Sequence, residues 1–510
     1  MTMQLALKEK IGYALGDAAA NLVWRGALAY LAVFYTDTFG LTAAAAAMLF
    51  LVVRLTDGIT DIIMGMIADR TDTKWGKFRP WILWSTPFLA LFMVLCFTTP
   101  DFSYDGKLAF AYVTYIGLTL AYTVNNVPYS ALMGVMTNDD KERTSLSGFR
   151  FAGAFLGGLF VMGFLPQLVE YFGQGNQQQG YQYTMYLFAA FLLVLMVITF
   201  STTQERVKPV ADNNSGSLKS ELKDLSKNLP FIILPLLATT LFFYYRNLPT
   251  GLFFVAVVVF CHFAIKRLLS SDHSNLTRSQ QDMIDLLNNK PWLILLGMGF
   301  LTMMFNGIKY GVIAYYFKYF VGDEILAGQY FVGLLVVSIL GALSTSTLAK
   351  WFGRKQLFIG ALIISSLLTG AMFWIPEKSI VPVFLLGCSA EFFAAIMPTL
   401  FFSMLGDSAD YSEWKNGRRA TGLIYSAGTF VQKTGGGFAG ALVLLVLSGY
   451  GYDGMDAATI EDSLPGMQWL MSWIPAAFGF IAAALMMFYP LDDKMQEKMT
   501  NDLSEARLAS

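Results

Sequence analysis

The sequence predicts an all-α protein that crosses a membrane many times, and three observations carry this prediction. Of its 510 residues, 55% are hydrophobic and only 14% are charged. A soluble globular chain has about a quarter of its residues charged. The mean hydropathy is +0.52, and apolar runs long enough to cross a bilayer as helices recur along the whole chain. A soluble globular domain is therefore excluded.

Fourteen apolar runs are long enough to be membrane spans, and several carry Gly or Pro in mid-span. Neighbouring helices in a bundle tolerate such residues because they satisfy the freed backbone groups. The predicted spans are 11–36, 43–68, 79–99, 108–135, 149–169, 181–201, 229–246, 250–269, 291–317, 327–350, 356–375, 380–405, 420–448 and 466–490.

The spans divide into two groups of six. Residues 1–202 form a predicted N-terminal six-helix bundle, and residues 291–490 form a C-terminal one. Between them, residues 203–290 hold two apolar stretches flanked by polar linkers, interpreted as an inserted transmembrane hairpin at about 229–269. We interpret this hairpin as a structural or lipid-facing addition outside the transport path. Residues 491–510 form a polar tail.

Lys and Arg predict the orientation of the bundle. Basic residues concentrate in alternate connections and in the C-terminal tail, whereas the remaining connections hold few. Because basic loops stay on the cytoplasmic side, both termini are predicted to be cytoplasmic, which requires an even number of spans. The basic connections are 69–79, 139–145, 203–228, 350–356 and 413–419.

Cys and His are sparse and isolated, and the chain shows no nucleophile elbow, P-loop or zinc-protease motif. This argues against a membrane enzyme and against a cofactor or a transition-metal site. The residues concerned are Cys96, Cys261, Cys388, His262 and His273.

We single out eight charged residues as embedded in the predicted spans. Each costs at least about 2.5–3.5 kcal/mol there, so it must be paired, hydrated or functional. The eight are Asp17, Arg25, Arg54, Asp57, Asp61, Arg150, Lys309 and Lys433.

Asp57 and Asp61 are predicted to share one face of a helix, because residues four apart lie on adjacent turns. Their hard oxygen ligands suit Na⁺ or H⁺ better than a transition metal. A small cation, the Lys433 ammonium from the other half, or both in turn would keep them charged. The alternative is a purely stabilising salt bridge between Arg54 and Asp57.

Two spans carry polar groups that suit a sugar. Asp17, Asn21 and Trp24 share a face of span 1, where an aromatic ring could stack on a sugar and a carboxylate could bind hydroxyl pairs. Asn126 and Tyr129 flank Pro128 in span 4 and supply both donors and acceptors. The alternative in both spans is a membrane anchor and ordinary helix packing.

The two halves contain similar glycine-rich segments. Gly153 and Gly157 follow Arg150, and Gly436 and Gly440 follow Lys433. Small residues four apart let helices approach closely, so both segments predict tight helix contacts.

Several motifs together resemble one transporter family. They are "GYALGD" (12–17), "FYTDTFGL" (34–41), "RLTDGITDIIMGMIADRTDTKWGKFRPWIL" (54–83), "YYFKYFVG" (315–322) and "GDSADYSEWKNGRRATGLIYS" (406–426). They resemble the glycoside–pentoside–hexuronide:cation symporters of the major facilitator superfamily, over nearly the whole chain apart from about 229–285.

The resemblance implies a major facilitator fold, with two six-helix bundles around a central cavity and alternating access. It implies symport of a sugar with Na⁺ or H⁺ across a bacterial inner membrane. The implied partners are the sugar and the lipid bilayer, with no nucleic acid, and the implied state is a monomer. No cofactor is expected beyond the coupling ion.

Carried over motif by motif, the family's roles fall on particular residues. The cation carboxylates and the span-4 threonine correspond to Asp57, Asp61 and Thr123, and Thr60 is a further candidate ligand. The coupling lysine corresponds to Lys433. The family's arginine that opens span 5 and its span-4 sugar positions correspond to Arg150, Tyr122 and Asn126.

Departures from the family pattern predict an acidic sugar, a uronate or small uronide. Melibiose permease, the best-known member, has an aspartate where Asn126 stands, and it has no cation where Arg25 stands. Arg offers a planar fork that fits a carboxylate. A neutral glycoside or pentoside, or antiport, is the alternative. The predicted substrate-binding residues are Asp17, Asn21, Trp24, Arg25, Tyr122, Asn126, Arg150 and Lys309.

Two short basic turns are predicted to act as cytoplasmic latches that hold the outward-facing state. Asp69 lies at a helix C-terminus, where the dipole disfavours an acid, so a basic partner is expected. The predicted latch residues are Asp69, Arg70, Lys77 and Arg354.

Overall fold

The computed structural model describes residues 4–41, 43–207, 278–323, 325–452 and 457–509, together with isolated positions between 255 and 263. The hairpin predicted at about 229–269 therefore lies almost wholly outside the described residues. The side chains of some helical residues, Arg54 and Asp57 among them, also lie outside. Within the described residues every regular element is a helix, which confirms the all-α fold class.

Six long helices form the first half. Helix α5 begins nine residues before its predicted span, because Asp139 caps it by accepting hydrogen bonds from the backbone of Lys141 and Glu142. Arg150 consequently lies well inside this helix and not at its start. The helices are α1 (Leu7–Val33, extended by a π-helical turn, Phe34–Thr38), α2 (Ala43–Arg70), α3 (Arg79–Cys96), α4 (Tyr104–Met136), α5 (Asp140–Gly173) and α6 (Gln177–Thr202).

The second half repeats this plan with more interruptions. The helices are α7 (Arg278–Leu287), α8 (Lys290–Tyr315, with a π-helical turn, Tyr316–Val321), α9 (Ile325–Phe352), α10 (Arg354–Ala371), α11 (Ile380–Ala394), α12 (Ile396–Asn416), α13 (Thr421–Gly449), α14 (Ala457–Met471), α15 (Trp473–Met487) and α16 (Asp493–Ala509).

Two predicted spans, 380–405 and 466–490, are each built from two consecutive helices. The breaks fall at Ala395 and Ser472. Pro398 and Pro475 lie three residues beyond each break, and a proline there removes the hydrogen bond to the residue four positions earlier.

Ten helical segments of the described residues are long and apolar enough to cross a membrane, by length and composition. Helices α1 and α2, with 27 and 28 residues, pack among them and carry several of the embedded charges. The predicted total of fourteen spans and the predicted domain boundaries stay predictions.

The two halves meet most extensively through two helix pairs, α5 with α9 and α2 with α13. Glycines bring both pairs close. A Cβ atom added to Gly422 would lie 2.5 Å from the carbonyl oxygen of Gly65, and one on Gly148 would lie 2.6 Å from that of Ala342. Since neither backbone can yield easily, the relative position of the halves depends on these small residues.

The two glycine-rich segments differ in their surroundings. Cβ atoms on Gly153 and Gly157 would lie 2.1 and 2.4 Å from carbonyl oxygens of α1, which confirms the predicted close contact. Gly436 and Gly440 have no described atom within 4 Å of such a Cβ. The close contact of this segment with α8 is made by its neighbours instead. A Cβ atom on Gly435 would lie 2.6 Å from Met303 Cβ, and one on Gly307 would lie 2.5 Å from Ala439 Cβ.

The start of the predicted linker is tied to the first half. The Glu205 carboxylate accepts hydrogen bonds from the backbone N–H groups of 77–79, at 2.8 to 3.0 Å, and so caps the beginning of α3. Arg206 and Val207 both donate to the Val135 carbonyl oxygen, at 2.8 and 2.9 Å. These contacts fix the point from which the linker leaves the bundle.

Candidate functional site

Asp61 joins the two halves at the centre of the molecule. The Lys433 ammonium of α13 lies 3.0 and 2.9 Å from its two carboxylate oxygens, and the Thr123 hydroxyl of α4 donates at 2.9 Å. The Asp61 side chain is fully buried, whereas that of Lys433 is 14% exposed. An ammonium from the second half thus stands where a small cation would bind the carboxylate of the first.

The other predicted cation ligands are placed less completely. Thr60 precedes Asp61 in the helix and is half-buried. The side chains of Asp57 and Arg54 lie outside the described residues. The structure therefore brings together Asp61, Thr123 and Lys433, and the contribution of Asp57 and Thr60 stays a prediction.

Asp17 is paired inside the first half. Arg150 Nε lies 2.9 Å from its carboxylate, and Arg150 Nη2 donates to the Ser130 hydroxyl at 2.9 Å. Asn21 donates to the Asp17 backbone carbonyl oxygen at 2.9 Å. Arg150 Nη1 is buried and has no hydrogen-bond partner among the described residues, so it retains a donor for a ligand.

Trp24 and Tyr122 form an aromatic wall between α1 and α4. Their rings stack with centroids 5.1 Å apart, and both are half-buried. Asn126 lies one turn beyond Tyr122 on the same helix face and is also half-buried. An aromatic surface beside an amide can bind the apolar face and the hydroxyls of a sugar.

Glu391 organises the second half and was missed by the sequence analysis. Its carboxylate accepts hydrogen bonds from Lys309 Nζ at 2.6 Å, the Tyr310 hydroxyl at 2.8 Å and the Ser338 hydroxyl at 3.0 Å. Glu391 and Lys309 are 3% and 1% exposed. We call these four residues the Glu391 cluster. Lys309, predicted as a substrate-binding cation, is enclosed in it.

Arg25 reaches from the first half towards the Glu391 cluster. It is half-buried, and its positive charge acts on the Tyr310 hydroxyl of the second half. Its Nε atom would lie 3.4 Å from a Cβ atom on Gly158, so a glycine in α5 leaves room for the guanidinium. The ion pairs of the described residues leave Arg25 without a carboxylate partner.

The central charges of the described residues consequently sum to one positive charge. Each central acid is paired with one base, and Arg25 remains in excess. Arg54 and Asp57 add one charge of each sign and leave this sum unaltered. The pairs are Asp61 with Lys433, Asp17 with Arg150, and Glu391 with Lys309.

A buried network closes the end of the bundle that carries the basic connections, which we call the basic end. Arg143 of α5 is fully buried and lies 2.7 Å from Asp407 and 2.8 Å from Asp410, both in α12. These ion pairs cross between the halves. The sequence analysis did not single out these residues, although both acids lie within the quoted motif 406–426.

Further arginines extend the network at the basic end. Arg354, a predicted latch residue, lies 3.0 Å from Asp407 and 3.2 Å from Asp140 of the first half. Arg419 pairs with Asp410 and lies 2.8 Å from Glu413. Each of these guanidiniums therefore bridges two carboxylates.

Asp69 is held by backbone and not by a basic side chain. Its carboxylate accepts hydrogen bonds from the N–H groups of Gly422 and Leu423, at 2.8 and 3.1 Å, at the start of α13. The positive end of the helix dipole thus supplies the expected counter-charge. Arg70 and Lys77 act on Asp69 only electrostatically, and Lys77 donates to its backbone carbonyl oxygen at 3.3 Å.

Comparison with known proteins gives consistent matches over the whole chain. The sequence profile of a family described as MFS/sugar transport protein matches residues 12–266 and 242–493. A putative glycoside/cation symporter of Escherichia coli K12, YagG, is 32% identical over 506 residues, covering 99% of this chain and 96% of its own. The isoprimeverose transporter of Lactiplantibacillus pentosus is 32% identical, covering 98% and 91%.

A more distant relative and two solved structures extend the comparison. The glucuronide carrier protein homolog of Escherichia coli K12 is 26% identical, covering 99% of this chain and 97% of its own. The transporter FucP in its outward conformation has a TM-score of 0.60 at 13% identity, covering 95% of this chain and 99% of its own. The proton:xylose symporter XylE has a TM-score of 0.55 at 14% identity, covering 97% and 98%. These structures show the fold alone.

Proposed function

Because the chain belongs to the glycoside–pentoside–hexuronide:cation symporter family of the major facilitator superfamily, we propose that it couples sugar uptake to Na⁺ or H⁺ by alternating access. It is a multi-pass membrane transport protein and not an enzyme. The proposed location is the bacterial inner membrane, with both termini in the cytoplasm and a single chain as the transporting unit.

The contact between Lys433 and Asp61 carries this proposal. A fully buried carboxylate needs a counter-charge, and here one half of the molecule supplies it to the other. A cation that binds Asp61, with Asp57, Thr123 and Thr60 as further ligands, would displace the ammonium. The contact between the halves would then depend on the cation, which is what coupling requires.

The proposed substrate is an acidic sugar, a uronate or small uronide. The excess positive charge on Arg25 supports this, because a carboxylate would neutralise it in a two-point contact. The stacked Trp24 and Tyr122, with Asn126 and the unpartnered Arg150 Nη1, would meet the sugar ring and its hydroxyls. Lys309 is too deeply enclosed by Glu391 to bind the substrate directly.

The closed basic end supports an outward-facing assignment. With both termini in the cytoplasm, the ion pairs of Arg143, Arg354 and Arg419 would seal the cytoplasmic side. The central cavity would then be reached from outside, and release of the sugar would require this network to open.

Competition for uptake tests the substrate class. Membrane vesicles with imposed Na⁺ or pH gradients would take up labelled glucuronate, and excess methyl glucuronide should block uptake whereas a methyl glucoside should not. Arg25→Gln should reduce this preference about tenfold, as expected for the loss of a charge-assisted bidentate contact. Lys8→Gln removes the same charge from an exposed position of α1 and should have no effect. Preferred uptake of the neutral glycoside, unaffected by Arg25→Gln, would contradict the proposal.

A further inference from the structure

We infer that the buried pair of Glu391 and Lys309 sets the charge of the substrate that the cavity accepts. It does so by keeping its part of the second half neutral, so that, among the central residues that the structure describes, Arg25 remains the positive charge in excess. The inference rests on the proposed function, because it explains how an acidic sugar would be selected. It assigns a specificity-determining role to Glu391.

Tyr310 links the buried pair to the charge of Arg25. Arg25 interacts electrostatically with the Tyr310 hydroxyl, and that hydroxyl donates to Glu391 Oε1 at 2.8 Å. Glu391 Oε2 in turn binds Lys309 at 2.6 Å. A change of charge at Glu391 or Lys309 is therefore felt at Arg25 through one intervening side chain.

The ion pair of Glu391 and Lys309 is almost completely buried. With Glu391 and Lys309 3% and 1% exposed, water cannot replace a missing partner. The Lys309 ammonium also lies 5.2 Å from the centre of the Phe305 ring. Removing one charge of such a pair leaves the other poorly screened, so its field extends into the cavity.

The side of α8 that carries Tyr310 also carries a further polar residue. Asn306, Lys309 and Tyr310 follow at helical spacing, so Asn306 lies one turn before Tyr310 on the same side. The Asn306 Oδ1 atom is buried and has no hydrogen-bond partner among the described residues. It offers an acceptor to a substrate hydroxyl, and it gives a position where a charge can be added with little change of shape.

Charge-removing variants test the inference through a ratio of uptake rates. Glu391→Gln leaves Lys309 as a second excess cation, so the ratio of glucuronate to methyl glucoside uptake should rise about tenfold. Lys309→Gln leaves an anion that offsets Arg25, so the ratio should fall by about the same factor. The double variant should return to within about twofold of the unmodified protein.

Two further variants act as controls. Glu391→Asp keeps the charge and should leave the ratio unchanged, whatever the absolute rate. Asn306→Asp adds a negative charge without disturbing the pair and should lower the ratio. This variant decides the matter if the charge-removing variants fail to insert into the membrane.

The inference would be overturned if both single variants shifted the ratio in the same direction. It would also be overturned if the ratio of the double variant were no closer to that of the unmodified protein than the ratios of the single variants. So would an unchanged ratio in Asn306→Asp when the single variants are not recovered. The failure of the proposed substrate class is a separate result. It appears in the unmodified protein as a preference for the neutral glycoside that Arg25→Gln does not alter.

Discussion

The two halves meet in two regions that are built in opposite ways. At the basic end, Arg143, Arg354 and Arg419 each bridge two carboxylates and are almost completely buried. At the centre, the Lys433 ammonium of the second half meets the Asp61 carboxylate of the first. A network whose members share partners stabilises one conformation of the protein. A cation that binds the carboxylate of an ion pair can instead replace the ammonium.

This difference suits the basic end to stabilising a conformation and the centre to responding to a cation. Loss of either ion pair of Arg143 leaves both partners held, because Arg143 keeps its other acid. Asp407 and Asp410 are also bound by Arg354 and Arg419, so these groups support one another. At the centre, the Asp61 carboxylate is held by the Lys433 ammonium and the Thr123 hydroxyl. In the proposed mechanism, a cation that binds Asp61 would change the centre, and the basic end would then open.

The largest effect is expected from removing the central acid. Asp61→Asn should abolish gradient-driven accumulation, because the site loses the charge that binds both the cation and Lys433. We expect accumulation to fall at least about a hundredfold, since loss of one partner of a buried pair costs about 3–5 kcal/mol. Sugar exchange without a gradient should persist, measured in the same vesicles.

The matched control is Asp72→Asn, an exposed carboxylate just beyond the same helix. It should accumulate sugar normally. Full accumulation by Asp61→Asn would show that the centre is not the coupling site.

A smaller effect is expected at the basic end, since its partners are shared. Asp410→Asn removes the acid that Arg143 and Arg419 have in common and should favour opening there. Ser403, buried at the α5–α12 contact, is a suitable reporter. In a background without native cysteines, Ser403→Cys should react with a thiol reagent about tenfold faster when Asp410→Asn is present.

Asp502→Asn provides the comparison, because Asp502 lies on the exposed surface of the same end and binds only Trp414 among its described contacts. It should not alter the labelling rate. Equal labelling in Asp410→Asn and in the parent would mean that the network does not hold the closed state.

The smallest effect is expected at Asp69. Gly422 and Leu423 donate to different oxygens of the carboxylate, so an amide at this position keeps one of these hydrogen bonds and no longer complements the helix dipole. Such dipole interactions contribute about 0.3–1 kcal/mol, so Asp69→Asn should raise Ser403→Cys labelling by about two- to fivefold. A labelling rate above that of Asp410→Asn would reverse the proposed order of importance.

The sequence predicted the position of the charged residues along the membrane normal better than it predicted their partners. Asp61 and Lys433 were predicted to reach the same level from opposite halves, and the structure pairs them. Asp17 and Arg150 were both predicted to touch the sugar, yet they neutralise each other. Hydropathy and spacing give the level of a residue along its helix, whereas the neighbour it faces depends on how the helices are rotated and packed.

Glu391 illustrates a different failure. It is a lone acid in the apolar run "FLLGCSAEFFAAI", so the rule that identified eight other embedded charges also applied to it. The motifs that carried the family resemblance did not include it. The arginine network was missed for the opposite reason, because charged residues near helix ends are common and their pairing requires the tertiary contacts.

The anchoring of the linker by Glu205 makes this part of the chain suitable for an optical reporter. A fluorescent domain inserted after Val207 would move with the first half, since Arg206 and Val207 are bonded to Val135. A second fluorophore attached to α16, which packs on α12 through Trp414, would move with the second half. Energy transfer between the two would vary as the halves rock, so turnover could be followed in living cells without a labelled sugar.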